Sequence, residues 1–379
     1  MKKKLVWMNV CETSADNYGA RLMAELKRRS PGLEIMGMGG PAMRRAGLQT
    51  VFRSEDLSLV GLTEVFSALP RILGYLKTIK ARLKAKRPDI LILMDAPDFN
   101  FRLARMAFEL NIPVIYYIAP QAWAWRKSRV DFLRKYVDQV ACILPFEQDF
   151  FRKHRVRTTF VGHPVMETLD LPSLEKIRPE PDRIAILPGS RKKEISSLLP
   201  LFVATAAQLR RENPGLIFSL IQAPGISQEY LQEFCGSAPW LEFISPENRY
   251  EYLKKSRLAL AASGTVTLEC AILEVPAVVA YKLSWISYLV GRLLIHVKNI
   301  SMPNLILGKT VFPELIQDQA NPEKMLSAVR TWLYDPEKTR QVMEDLKTIK
   351  SILGTRSAAQ TTADLALKIM NKRKVHGQA

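Results

Sequence analysis

Apolar residues in this chain fall into short, nearly continuous runs, separated by longer stretches in which they recur every three or four positions. Leu5–Val10, Leu33–Met38, Asp89–Met94, Pro113–Ile118 and Gln139–Leu144 form a first series of runs. Arg183–Leu187, Leu216–Ile221, Leu241–Ile244, Arg257–Ala262 and Pro276–Tyr281 form a second. Runs apolar at nearly every position read as strands of a parallel sheet covered on both faces. The stretches between them, such as Asn17–Arg29 and Asn100–Leu110, read as amphipathic helices. The two series are joined by a polar, Pro-rich stretch, Leu171-Pro172 to Pro181-Asp182. The pattern predicts an α/β protein with two Rossmann-like domains, their parallel sheets facing a central cleft. Residues 1–168 would form the N-terminal domain, 169–350 the C-terminal domain, and 351–379 a C-terminal helix with a basic tail that packs back on the N-terminal domain.

A length of 379 residues suits two domains better than one. No run of 18 apolar residues occurs, so no span of the membrane is expected. After Leu5–Val10 the acids Glu12 and Asp16 follow at once, which argues for a first strand and against a secretory signal. Cys11, Cys142, Cys235 and Cys270 are scattered, with no CxxC pair. The four histidines, His154, His163, His296 and His376, form no HExxH or HxxxH pair, so neither a disulfide frame nor a metal site is expected. These features point to a reducing, cytoplasmic setting. The net charge of +18 draws the chain toward polyanions: nucleic acid, anionic lipid or phosphorylated substrates.

In parallel sheets of this kind ligands bind just beyond the carboxyl ends of the strands. The second series ends two of its strands in turns that open helices. Gly189-Ser190-Arg191 follows one, and Ser263-Gly264-Thr265 follows another. Free backbone N–H groups at such turns favour phosphate, and Arg191 adds a permanent charge able to bind it bidentately. Each turn read alone is also an ordinary helix start. Glu269, four residues after Thr265, shares the helix face and suits a ribose diol. Two such loops, without GxxxxGKS or GxGxxG, favour a nucleotide-diphosphate sugar over ATP or NAD, and no cofactor is expected.

In the first series, the third run ends in Asp95-Ala96-Pro97-Asp98-Phe99-Asn100. Asp98 or Asn100 suits a helix N-cap, which leaves Asp95 as the better candidate for a general base. The fourth run leads to Trp123-Ala124-Trp125-Arg126, aromatics beside a cation that suit sugar stacking, acyl packing or an ordinary core. The first run leads to Cys11-Glu12-Thr13-Ser14-Ala15-Asp16, and the second to Gly37-Met38-Gly39-Gly40-Pro41. Between residues 60 and 87, Leu62, Val65, Phe66, Leu69, Ile72, Leu73 and Leu76 recur at helical spacing, with Arg71, Lys77, Lys80, Arg82, Lys84, Lys86 and Arg87 close behind. Pro70 predicts two short helices there, or one kinked helix. The segment is either an ordinary core helix or an interfacial patch in which Val65, Phe66, Leu69, Ile72 and Leu73 enter a bilayer.

Together GMGGP (37–41), DAPDFN (95–100), WAWR (123–126), PFE (145–147), VGHP (161–164), LPGSR (187–191), SGTxTLE (263–269) and PNLILG (303–308) closely resemble the lipid-A-disaccharide synthase family. Those enzymes are inverting glycosyltransferases of the GT-B type. In the first loop this chain departs from the family's Gly-Glu-Ala-Ser-Gly-Asp run: Glu12, Ser14 and Asp16 match, but Cys11 and Ala15 replace both glycines. The resemblance implies transfer from UDP-2,3-diacylglucosamine to 2,3-diacylglucosamine 1-phosphate, giving a β-1,6-linked disaccharide 1-phosphate and UDP. It implies Asp95 as base and a donor site of Gly189, Ser190, Arg191, Ser263, Gly264, Thr265, Glu269 and Asn304. Glu12, Ser14, Asp16, Asp98, Asn100, Trp123, Arg126 and His163 would line the acceptor side or the cleft. It also implies work at the cytoplasmic face of an anionic inner membrane, and leaves a homodimer open. Two rivals stand against it: a UDP-sugar epimerase on the same fold, and a basic nucleic-acid-binding protein, for which no helix-turn-helix, zinc-knuckle or RNP signature is present.

Overall fold

The computed structural model describes residues 3–58, 65–120, 127–282 and 299–376. The chain divides into two compact units, Met1–Glu167 with Thr355–Ala379, and Thr168–Gly354.

The first unit is built on seven parallel strands: β1 (Leu5–Asn9), β2 (Glu34–Gly39), β3 (Gln49–Arg53), β4 (Ile90–Met94), β5 (Val114–Tyr117), β6 (Gln139–Cys142) and β7 (Thr158–Phe160). Their order is β3-β2-β1-β4-β5-β6-β7, so the chain reverses its direction of travel across the sheet between β1 and β4. All five side chains of β4 are fully buried. Each contributes about 1.5–3 kcal/mol by leaving water, which is why this run is apolar at every position. The helix Thr13–Arg29 follows β1, and the C-terminal helix Ala358–His376 packs against it. Arg29 Nε lies 3.2 Å from Asp364, and Lys4 donates to Asn371 at 2.7 Å.

Residues 65–86 form one helix that contains Pro70 in its second turn, where the missing N–H leaves one intrahelical hydrogen bond unmade. Leu76, Ile79 and Leu83 point from it into the core, at spacings of three and four. Ile72 packs against that core too, which corrects its expected place on a free apolar patch. Leu73 does face outward, at 52% exposure. The side chains of Val65, Phe66 and Leu69 lie outside the described residues. Among the described residues no helix is long and apolar enough to cross a membrane.

The second unit has six parallel strands: β8 (Glu180–Leu187), β9 (Ile217–Ile221), β10 (Leu241–Ile244), β11 (Ser256–Ala262), β12 (Ala277–Tyr281) and β13 (Glu314–Ile316). Their order, β10-β9-β8-β11-β12-β13, reverses between β8 and β11. Three strands escape the hydrophobic pattern: β3, β7 and β13. Two of them, β3 and β7, are the edges of the first sheet, and β13 is an edge of the second. Their side chains are only partly buried, so no continuous apolar run marks them.

Candidate active site

Each reversal opens a crevice at the carboxyl ends of two adjacent strands. In the first unit those strands are β1 and β4, and Asp95 is the first residue beyond β4. Its carboxylate accepts the backbone N–H of Cys11 at 3.1 Å and that of Glu12 at 2.9 Å, so the loop after β4 is tied to the loop after β1. Asp95 and Ala96 both take left-handed backbone conformations, with φ of 56° and 32°. For residues with a Cβ this is strained and must be held by the surroundings. Asp95 keeps partial access to solvent, yet burial of its carboxyl group pushes its pKa up to about 8. The two N–H donors pull it down, and the nearby Glu12 charge pushes it further up. A carboxyl group titrating near neutrality is what general-base work requires.

Two other polar groups expected on the acceptor side, Asp16 and Asn100, spend their hydrogen bonds inside the fold. Asp16 is 3% exposed, and its carboxylate accepts the N–H groups of Gly40, Ala42 and Met43. It therefore caps the helix Pro41–Arg45 and fixes the GMGGP turn. In that turn Gly37 has φ of 141°, and a Cβ there would lie 1.9 Å from the Met8 carbonyl oxygen. Asn100 is fully buried and donates to the carbonyls of Met94 and Asp95 at 2.7 and 3.0 Å. Neither Asn100 nor Asp98 is the N-cap of its helix, Pro97–Glu109: Ala96 takes that position. Asp98 instead projects from the first turn, with its side chain 96% exposed and 3.6 Å from Arg129. Glu12 is exposed at the start of the helix Thr13–Arg29. His163 is 2% exposed. Its Nδ1 accepts the Val165 N–H at 3.2 Å, Nε2 has no partner, and burial pushes the imidazole pKa down to about 3. It is a neutral, enclosed ring. Trp123 and Arg126 lie outside the described residues, as does the side chain of Ser14.

In the second unit the loops after β8 and β11 stand side by side at the reversal. Gly189 has φ of 107°, and a Cβ there would lie 2.7 Å from the Glu194 carboxylate. The left-handed turn and the close approach of Glu194 both call for glycine at this position. The helices Lys192–Glu212 and Thr265–Ile272 begin here, with Arg191 and Gly264 as N-caps and no side-chain cap on either. Uncapped N–H groups and the positive ends of two helix dipoles converge on the same crevice, a suitable cradle for a diphosphate. Ser190, Gly264 and Thr265 are exposed, and Ser263 is partly so. Arg191 is 69% exposed and lies 3.0 Å from Glu194.

Glu269 faces inward on the second of these helices. Its carboxylate accepts from Arg249 at 3.3 Å and from the Tyr250 hydroxyl at 3.2 Å. Burial raises its pKa, against the pull of the Arg249 charge and the Tyr250 hydrogen bond. Arg249 and Tyr250 also bond each other. Sequence reading missed both, because they sit in a polar segment after β10 that carries no motif. Asn304 corrects a second expectation. It is fully buried; its Oδ1 accepts from the N–H groups of Val311 and Phe312, and its Nδ2 donates to the Phe312 carbonyl and to Glu314. With all four bonds made inside the fold, it shapes the segment around residue 312 and has nothing left for a ligand. A groove of about 560 Å³ lined by Val203, Phe234 and Trp240 shares no residue with any of these loops.

Two such units in one chain make an α/β protein of the GT-B type. Solved structures bear out that fold. The glycotransferase of kitacinnamycin is 16% identical with a TM-score of 0.67, covering 98% of this chain and 100% of that one. MurG from Acinetobacter baumannii is 16% identical with a TM-score of 0.60, covering 96% and 99%. The UDP-GlcNAc 2-epimerase from Neisseria meningitidis, solved bound to UDP-GlcNAc, is 12% identical with a TM-score of 0.65, covering 97% and 100%. The chain belongs to the lipid-A-disaccharide synthetase family, whose model matches residues 6–370. The lipid-A-disaccharide synthase of Syntrophus aciditrophicus is 38% identical over 98% of this chain and 99% of its own length. That of Myxococcus xanthus is 38% identical over 96% and 97%. Membership of this family makes the chain a glycosyltransferase of lipid A biosynthesis, and it sets the two rival readings aside.

Proposed function

We propose that this glycosyltransferase condenses UDP-2,3-diacylglucosamine with 2,3-diacylglucosamine 1-phosphate, releasing UDP and a β-1,6-linked disaccharide 1-phosphate. The observation that carries the mechanism is Asp95 at the β1/β4 reversal, its carboxylate held by two backbone N–H groups, with burial pushing its pKa up to about 8. Asp95 takes the proton from the acceptor's 6-hydroxyl as that oxygen attacks the anomeric carbon from the face opposite UDP, which inverts the configuration. The first unit is the acceptor side, to which we assign Glu12, Ser14, Asp98, Trp123 and Arg126; Asp16 and Asn100 hold its loops in shape, and His163 is enclosed within it. The second unit is the donor side. Gly189, Ser190, Ser263, Gly264 and Thr265 present N–H groups to the diphosphate, and Arg191 neutralises the charge that grows on UDP as the bond breaks. Glu269, positioned by Arg249 and Tyr250, takes the ribose. Asn304 acts only by shaping its own segment.

The basic excess suits two anionic substrates and an anionic cytoplasmic membrane surface. Each buried CH₂ of an acyl chain holds a substrate in the bilayer by about 0.8 kcal/mol, so the enzyme works at that surface, as a monomer or a dimer. The deciding experiment mixes purified protein with both diacylated substrates and follows UDP and disaccharide. Stoichiometric appearance of both supports the reading. Conversion of the UDP-sugar with no lipid product would overturn it in favour of an epimerase.

A further inference from the structure

The run Leu5–Val10 contains one polar residue, Asn9, and its side chain is fully buried. Burying an amide in an apolar layer is costly unless its bonds are made, and here one end is left unpaired. Asn9 Nδ2 donates to Asn100 Oδ1 at 2.7 Å and points weakly at Cys11 Sγ at 3.7 Å, while Asn9 Oδ1 has no partner. The orientation of the pair is not arbitrary. Asn100 must direct its NH₂ to the Met94 and Asp95 carbonyls, so its oxygen faces Asn9, and Asn9 must answer with its own NH₂. The Tyr116 hydroxyl donates to the same Asp95 carbonyl at 2.5 Å. These groups surround the left-handed turn at Asp95 and Ala96. They hold it in the one conformation that aims the carboxylate at the N–H groups of Cys11 and Glu12.

We propose that Asn9 is a positioning residue for the transfer, acting through Asn100 to hold the strained turn that presents Asp95 to the acceptor. The inference rests on Asp95 being the base. Its unpaired oxygen is then a stability cost carried for alignment, in a strand where an apolar residue would pack better.

The test compares wild type, Asn9→Leu, Asn9→Ser and Asp95→Asn, each checked for folding by thermal denaturation and for UDP binding. For Asn9→Leu, which keeps the volume and removes the amide, kcat should fall roughly 10–100-fold, the scale of a misplaced catalytic group, with little change in KM. The acid limb of its kcat/KM profile should move to higher pH, because Asp95 drifts from the N–H donors that favour its charged form. Asn9→Ser, too short to reach Asn100, should behave alike. A folded Asn9→Leu with normal kcat and an unmoved limb overturns the proposal, and so does failure of both Asn9 variants to fold, since the network would then serve stability alone. Asp95→Asn separates the premises: if it keeps activity and the acid limb, the base assignment fails, whatever Asn9 does.

Discussion

The carboxylate of Asp95 accepts the backbone N–H of Glu12 at 2.9 Å, and this bond crosses the reversal between β1 and β4. It gives the loop that departs from its family's pattern a defined task. Cys11 and Ala15 stand where the family has glycines, but the first loop serves Asp95 through main-chain N–H groups, which any residue but proline supplies at positions 11 and 12. Loss of the glycines therefore leaves the hold on Asp95 in place.

Replacing Asp95 by Asn should lower turnover by roughly the 10²–10⁴-fold range of a lost general base, with UDP binding kept. In the wild type, kcat/KM should climb as pH rises through about 8, where half of the carboxylate is charged, and level above it. The sign for stability is opposite. The folded pKa lies above the unfolded value, so the fold retains a proton that the unfolded chain has lost, and this contribution fades as pH rises through 8. Near-normal kcat in the variant would move the role to Glu12 or Asp98.

The place of Asp95 just beyond a strand was legible in the sequence because a strand's last residue is fixed by the end of an apolar run. The places of the turns at residues 189–191 and 263–265 were legible for the same reason, since a turn directly after such a run lies at the carboxyl edge. What could not be read is which polar residues spend their bonds inside the fold. Asp16, Asn100 and Asn304 look like ligand-binding groups in a string of letters; only their partners, brought from 24 residues away in the case of Gly40, reveal them as structural. Arg249 and Tyr250 were hidden in the converse way, since they reach Glu269 across 20 and 19 residues without a motif. Ile72 and Leu73 are adjacent, so periodicity alone did not separate the core-facing residue from the exposed one.

Arg191 is exposed on the donor loop, so its removal should leave the fold intact. Arg191→Ala should weaken UDP binding or transition-state stabilisation by about 1.5–3 kcal/mol, the worth of a charged hydrogen bond. Calorimetric titration of UDP and steady-state kinetics on one preparation decide the matter, and no change in either would make Arg191 a bystander.

Removing the Arg249 guanidinium leaves the Glu269 carboxylate enclosed with Tyr250 as its one donor among the described residues. The Glu269 pKa, already raised by burial, should rise further. At pH 4 the carboxyl group is then neutral and the cost of the substitution small; at pH 8 it must be charged or take up a proton. We expect Arg249→Met to be destabilised more at pH 8 than at pH 4, by about 1–3 kcal/mol, as read from urea unfolding. Equal losses at both values would mean that the pair contributes packing and no charge balance.

His163 has its folded pKa near 3, below the ordinary value, so acidification protonates the unfolded chain first. Stability should fall as pH drops below about 6.5 and go on falling toward 3. His163→Gln, which can still accept from Val165, should flatten this slope. An unaltered slope, followed by thermal denaturation between pH 7 and pH 4, would assign the acid sensitivity to other groups.

The membrane reading concentrates on the helix Val65–Lys86, and its geometry changes which residues should be altered. Ile72 packs inward, so Ile72→Ser should cost stability, about 1–3 kcal/mol, and report nothing about membranes. Leu73 is 52% exposed, and Lys77 lies one turn further on, exposed as well. Along the same helix Arg82, Lys84 and Lys86 are exposed, and Arg87 follows its end. An outward Leu beside a run of cations suits a surface where the apolar group enters the acyl boundary and the charges meet headgroups. Each cation near an anionic surface contributes about 1 kcal/mol, so reversing one removes about twice that. Leu73→Ser combined with Lys77→Glu should therefore stay folded, bind UDP as before, and bind anionic vesicles at least tenfold more weakly, with both proteins indifferent to zwitterionic vesicles. Sedimentation with vesicles at low and high salt provides the reading. If the double variant pellets as the wild type does at both salt concentrations, this face does not meet the membrane.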